Sequence, residues 1–115
     1  MEYEKTIKKI LMEIGANPAL IGFTYLVDAI LITIEDKKSK ITKPMMSIYT
    51  EVGVRHNATG KAVVRALDYC IEKIFDKDNK SLKKLFDAWI STYTGKVPTS
   101  TFIAVIAEKI IMNEN

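Results

Sequence analysis

One cysteine and one histidine are all that 115 residues supply. Cys70 therefore has no partner for an intramolecular disulfide, and a cysteine-based zinc finger is excluded. His56 alone makes neither a histidine-rich metal site nor a His–His acid/base pair. Glycine (5) and proline (3) are scarce, which excludes collagen-like repeats. No run is long enough to span a bilayer. The most apolar stretch, residues 20–34, is too short and is broken by Thr24, Asp28 and Thr33. Met1-Glu2-Tyr3-Glu4-Lys5 lacks the apolar core of a signal peptide. No membrane partner is expected, and the expected location is the cytoplasm, where Cys70 serves as a small buried hydrophobe. Period-two alternation is never sustained, although β-branched residues leave 30–34 ambiguous.

What is present is a globular composition, 48% hydrophobic and 27% charged. A chain this size buries roughly two thirds of its unfolded surface, enough for one domain without staples. The apolar spacing is helical. Ile7, Ile10, Leu11 and Ile14 mark a first helix, with Gly15 as its C-terminal cap. Pro18 opens a second helix, whose Ile21, Tyr25, Ala29 and Ile32 share a face; it is apolar almost all round, as a central helix is. Residues 36–40 read as a polar break. Thr42 and Pro44 bound a third helix that runs to Arg55, and a fourth runs from about Thr59 to Lys77. Ser81 caps a fifth, carrying Leu82, Leu85, Phe86 and Trp89. Gly95 and Pro98 interrupt, and Thr99 or Ser100 caps the last, carrying Phe102, Ile103, Ile106 and Ile110. The five methionines and Trp89 are expected in the core. The fold class is therefore all-α, a single six-helix domain over residues 1–115, with no room for a receiver domain.

The net charge is +3, and its distribution says more than its total. Residues 36–65 hold seven Lys/Arg against Asp36 and Glu51, net +5, while residues 1–35, 66–97 and 98–115 carry −2, +1 and −1. Such a stretch suits an anionic partner. From charge alone, a solvated loop at Lys37, Lys38, Lys40 and Lys43 explains it equally well.

Residues 48–77 are the most informative segment, although many helical bundles also join two helices by a short turn. A helix with Ile48, Val52 and the small Gly53 leads into the turn His56-Asn57-Ala58. A second helix follows with Val63, Leu67, Cys70, Ile71 and Ile74 at i, i+4, i+7, i+8 and i+11. Gly53 lets the second helix cross closely, and Val63 packs back ten positions on. This is helix-turn-helix spacing, which presents the N-terminal outer face of the second helix to a DNA major groove. That face holds Lys61, Ala62, Val64, Arg65 and Asp68. Arg55, Lys61 and Arg65 are candidate phosphate contacts; Asn57 and Thr59, with free N–H groups at the helix start, are candidate uncharged ones.

The chain resembles the C-terminal effector domain of the stage-zero sporulation protein A family, the sporulation response regulators of endospore-forming Firmicutes. The resemblance runs from about Glu13 to Lys109. It includes Glu13-Ile14-Gly15, Gly22, Tyr25-Leu26 and Ile41-Thr42-Lys43, then Tyr49, Asn57, Thr59, Val63, Arg65-Ala66 and Ile71-Glu72. Pro98-Thr99 and Phe102-Ile103-Ala104 complete it. It implies a six-helix domain that binds double-stranded DNA in transcription. It also implies pairing of two copies on tandem sites through the last helix, RNA polymerase as a further partner, and no cofactor.

The departures are informative. Where the family reads bases with Arg, Glu and Arg, the matching positions resemble Ala62, Val64 and Asp68. Arg–guanine pairs, each worth roughly 1–3 kcal/mol of discrimination, are unavailable there. Val64 toward a thymine methyl and Asp68 toward cytosine N4 are the substitutes the sequence offers. About three residues are also inserted around 44–46. The alternative function is a protein-interaction module of the same fold, which pairs with itself or a related regulator and has lost specific base reading. An enzyme is not expected: no Gly-rich phosphate loop, metal-ligand spacing or catalytic constellation is present. Asp76 and Asp78 lack the Gly and Glu of a calcium loop.

Overall fold

The described residues form six helices in chain order: α1 (Tyr3–Glu13), α2 (Ile21–Lys38), α3 (Met45–Arg55), α4 (Gly60–Phe75), α5 (Lys80–Phe86) and α6 (Thr99–Met112). The computed structural model describes residues 3–77, 79–86 and 96–114, and no strand occurs among them. The expectations for Met1, Asp78, Trp89 and Gly95 lie outside the described residues. The class is all-α, as the spacing predicts; the β-branched stretch 30–34 is helical.

α2 is the central element. It packs against α1, α3, α4 and α6, and its buried residues point in every direction, from Phe23 and Tyr25 to Ile32 and Ile34. Ile21 is the exception on the expected face and is exposed. The helix begins there rather than at Pro18, because Asn17 holds a separate turn: its Oδ1 accepts from the Ala19 N–H at 2.9 Å. Its other end lies at Lys38, inside the stretch read as a break.

The reason is a shared backbone device. In α1, Ala16 N–H donates to Leu11 O (2.9 Å) and Gly15 N–H to Met12 O (3.1 Å), with Gly15 at φ 98°. In α2, Ile41 N–H donates to Asp36 O (2.8 Å) and Lys40 N–H to Lys37 O (3.2 Å), with Lys40 at φ 57°. Both are Schellman ends, which satisfy the last carbonyls through one left-handed residue. Glycine advertises that conformation and lysine does not, so only the first end is legible in the sequence.

Two caps also differ from expectation. Asn79, not Ser81, caps α5, its Oδ1 accepting from Leu82 N–H at 3.0 Å. Pro98 occupies the N-cap of α6 with no side-chain cap bond; Thr99 is already helical, and its hydroxyl is used elsewhere. The methionines depart from the core as well. Met45 packs against it, but Met12, Met46 and Met112 are exposed. Met12, for instance, lies about 100° around α1 from Leu11, off the buried stripe.

Two contacts hold α4 in place. Gly22 on α2 crosses it so closely that a Cβ there would lie 2.3 Å from Ala66 O and 2.7 Å from Cys70 Cβ. At its far end Phe75 meets Phe86 (centroids 6.1 Å apart) and Phe102 (6.3 Å), while Phe86 and Phe102 stack at 4.8 Å. Opposite, Tyr3 donates to Glu114 at 2.5 Å and Lys38 pairs with Glu114 at 3.0 Å, joining α1, α2 and the end of α6.

Cys70 is fully buried on the inner stripe of α4, and burial pushes its thiol from near 9.0 up to about 11. The thiolate, not the thiol, is the nucleophile. We expect no reaction of the folded protein with a disulfide reagent at pH 8 and one thiol per chain after denaturation. Because the folded group holds its proton to higher pH than the unfolded one, its share of stability is complete below pH 9 and is lost toward pH 11. Fast labelling of the folded chain would contradict this.

Candidate nucleic-acid interface

The helix-turn-helix junction is built by Gly53. Its carbonyl accepts from both His56 N–H (3.1 Å) and Ala58 N–H (2.9 Å), and Asn57 between them stands at φ 56°. This is a third left-handed helix end, and asparagine tolerates it better than most residues. Asn57 is thus first of all the hinge of the turn. Ala58 folds back so that its carbonyl lies over Gly53, where a Cβ would sit 2.4 Å away. Val63 is fully buried, completing the crossing that its spacing predicts. His56 is held from behind: its Nε2 lies 2.5 Å from Asp28 Oδ2, and its ring tilts against Tyr25 at 5.3 Å. It secures the turn to α2.

Thr59 caps α4, its Oγ1 accepting from Ala62 N–H at 3.1 Å. One of the four free N–H groups of the first turn is thereby used; those of Gly60 and Lys61 still point out of the helix start. With the core stripe at Val63, Leu67, Cys70, Ile71 and Ile74, the opposite face carries Lys61, Ala62 and Arg65, all exposed. Neither Lys61 nor Arg65 has an ion-pair partner among the described residues.

The remaining candidates are placed differently. Arg55 is exposed beside the turn and pairs with Glu51 at 2.9 Å. Val64 is half-buried and packs on the core. Asp68 lies on the flank of α4 and accepts a hydrogen bond from the Thr99 hydroxyl at the start of α6. It also faces α3: burial first, and the Asp68 charge second, raise the Tyr49 phenol. One turn on, Glu72 pairs with Lys96 at 3.6 Å. Both acids of α4 therefore line the groove between α4 and residues 96–99.

A feature not singled out from the sequence stands on the open face. Tyr69 is 52% exposed, and the Lys73 ammonium lies 5.3 Å from its ring centroid. Lys61, Arg65, Tyr69 and Lys73 follow one another at i+4, so they form one ridge. That spacing was available to sequence reading, but a tyrosine among apolar helix residues suggests core.

The profile of one family, the sporulation initiation factor Spo0A C terminal, matches residues 7–110. The chain belongs to this family. Like the Spo0A C-terminal domain it is a DNA-binding effector domain of a sporulation regulator, and it acts in transcription. The helix-turn-helix lies wholly within the matched residues, as do all six helices except the outer ends of α1 and α6. Among the described residues no helix is long and apolar enough to cross a membrane.

Proposed function

We propose that α4 docks its N-terminal half in the major groove of duplex DNA. Lys61 and Arg65 contact phosphates on the groove walls, and Ala62 meets base edges. The N–H groups of Gly60 and Lys61 face a phosphate at the helix start. The observation that carries this reading is the pair of cations, without an ion-pair partner among the described residues, on a face of α4 that none of the described helices covers. Asn57 and Arg55 flank the same entry. Asp68 is not among the readers, since Thr99 and α6 hold it. Val64 supports α4 from below. Specificity then rests on few direct base contacts, and on DNA shape as much as on base edges. Two copies on tandem sites would read a longer element than one.

Fluorescence anisotropy with labelled duplexes tests it. Affinity should fall steeply with salt. Arg65→Ala should weaken binding to all sequences alike and reduce the magnitude of the salt slope by about 1. Absence of binding at low salt, or an Arg65→Ala variant with unchanged affinity, removes the docking face.

One observation favours the alternative of a pairing module. Val54, on the outer side of α3, is 75% exposed, beside a recognition helix with little polar reading capacity. A flat profile in selection from a random duplex library, with dimers in sedimentation, would choose that reading.

A further inference from the structure

We propose that Tyr69 and Lys73 form a second phosphate clamp on α4, beyond the part that enters the groove; the inference rests on the docking proposed above. The row Lys61–Arg65–Tyr69–Lys73 advances about 6 Å per step, so it covers about 18 Å from end to end. The major groove is only about 12 Å wide. With the first two members in the groove, the last two rise at its rim, where the backbone runs. A half-exposed tyrosine at that place offers a hydroxyl donor, and Lys73 offers charge beside it.

Charge complementarity identifies the occupant as a polyanion. The acids that would repel it, Asp68 and Glu72, are turned toward Thr99 and Lys96, so the ridge itself bears three cations and one phenol. Lys73 also approaches Asp76 at 3.8 Å, but both side chains are about half exposed, and such a pair is easily exchanged for a phosphate. The ring–ammonium contact fixes Tyr69 and Lys73 relative to each other, so that both address the same stretch of backbone. The clamp is indifferent to sequence. It supplies affinity and register that the family's missing base-reading cations no longer supply, and it lies on the outward side of the helix, away from α6.

The test uses Tyr69→Phe and Lys73→Gln in the whole chain, beside wild type and Arg65→Ala, on several unrelated duplexes over a salt series. Thermal melting checks that the variants fold; both positions are exposed, so unchanged melting is expected. Tyr69→Phe should weaken binding about tenfold on every duplex and leave the salt slope intact, since a hydrogen bond to a charged group is lost without loss of charge. Lys73→Gln should reduce the magnitude of the slope by about 0.9. If Arg65→Ala weakens binding while both new variants match wild type, the docking stands and the clamp is wrong. A Tyr69→Phe loss confined to particular base pairs makes Tyr69 a base reader and also overturns the clamp. Failure of wild type to bind any duplex at low salt removes both.

Discussion

Gly53→Ala should lower the melting temperature by about 10 °C and weaken DNA binding at the same time. The added Cβ would lie 2.4 Å from Ala58 O, 3.2 Å from Ala58 C and 3.3 Å from Thr59 C. All three are backbone atoms, so no side chain can rotate away. The same glycine supplies the carbonyl on which the turn closes, and any shift of α3 from Ala58 stretches those two bonds. Inserting a methyl group into such a contact costs about 2–3 kcal/mol. In a domain near this size each kcal/mol moves the midpoint by about 4 °C or more. Gly60→Ala is the control. Its Cβ would meet Thr50 Oγ1 at 3.2 Å, the end of a side chain that can turn, and its midpoint should barely change. Circular dichroism melting of both variants checks the pair, with anisotropy at a temperature where each is folded. Equal midpoints for Gly53→Ala and wild type would mean that the turn is not constrained as described.

Phe102→Ala should have the larger effect on stability. Phe102 is fully buried, stacked on Phe86 with an interplanar angle of 7°, and edge-on to Phe75. Through these rings α4, α5 and α6 share one cluster. Removing the ring loses about 3–5 kcal/mol, a large part of the roughly 6–17 kcal/mol expected for a domain of this length. The loss should not be uniform. α5 has seven residues, too few to hold a helix without tertiary contacts, and Phe86 is its main anchor. Urea unfolding should show a lower midpoint, and hydrogen exchange should show α5 amides losing protection before those of α2. Phe102→Leu, which keeps most of the volume, should lose less than half as much. A Phe102→Ala unfolding free energy within about 1 kcal/mol of wild type would contradict the cluster's role.

The position of Asp68 shows why a site is harder to read than a fold. Its spacing on α4 puts it near the outward side, and an outward acid beside DNA invites a base-reading role. Its direction is set by Thr99, thirty-one residues away, whose hydroxyl is available because Pro98 takes the N-cap position. Local pattern contains no trace of that partner. Val64 is similar: the helical wheel puts it at the margin of the stripe, and the tertiary packing makes it part of the core's edge. Tyr69 is the reverse, an aromatic residue that packing leaves outside.

By itself the sequence determined the six helices, the central rank of α2, the Gly53 to Val63 crossing, the buried thiol of Cys70 and the cations Lys61 and Arg65. All of these rest on periodicity or on the size and charge of single side chains, which are local properties. Tertiary structure decided the rest. The helix end at Lys40 depends on a left-handed residue that lysine does not announce. Gly22 matters because Ala66 and Cys70 of another helix come within reach of it. The outward face of α4 became a ridge of Lys61, Arg65, Tyr69 and Lys73 only once Thr99 and Lys96 had engaged Asp68 and Glu72. A side chain's direction on the margin of a helix is set by what packs against that margin, and that partner lies far away in sequence.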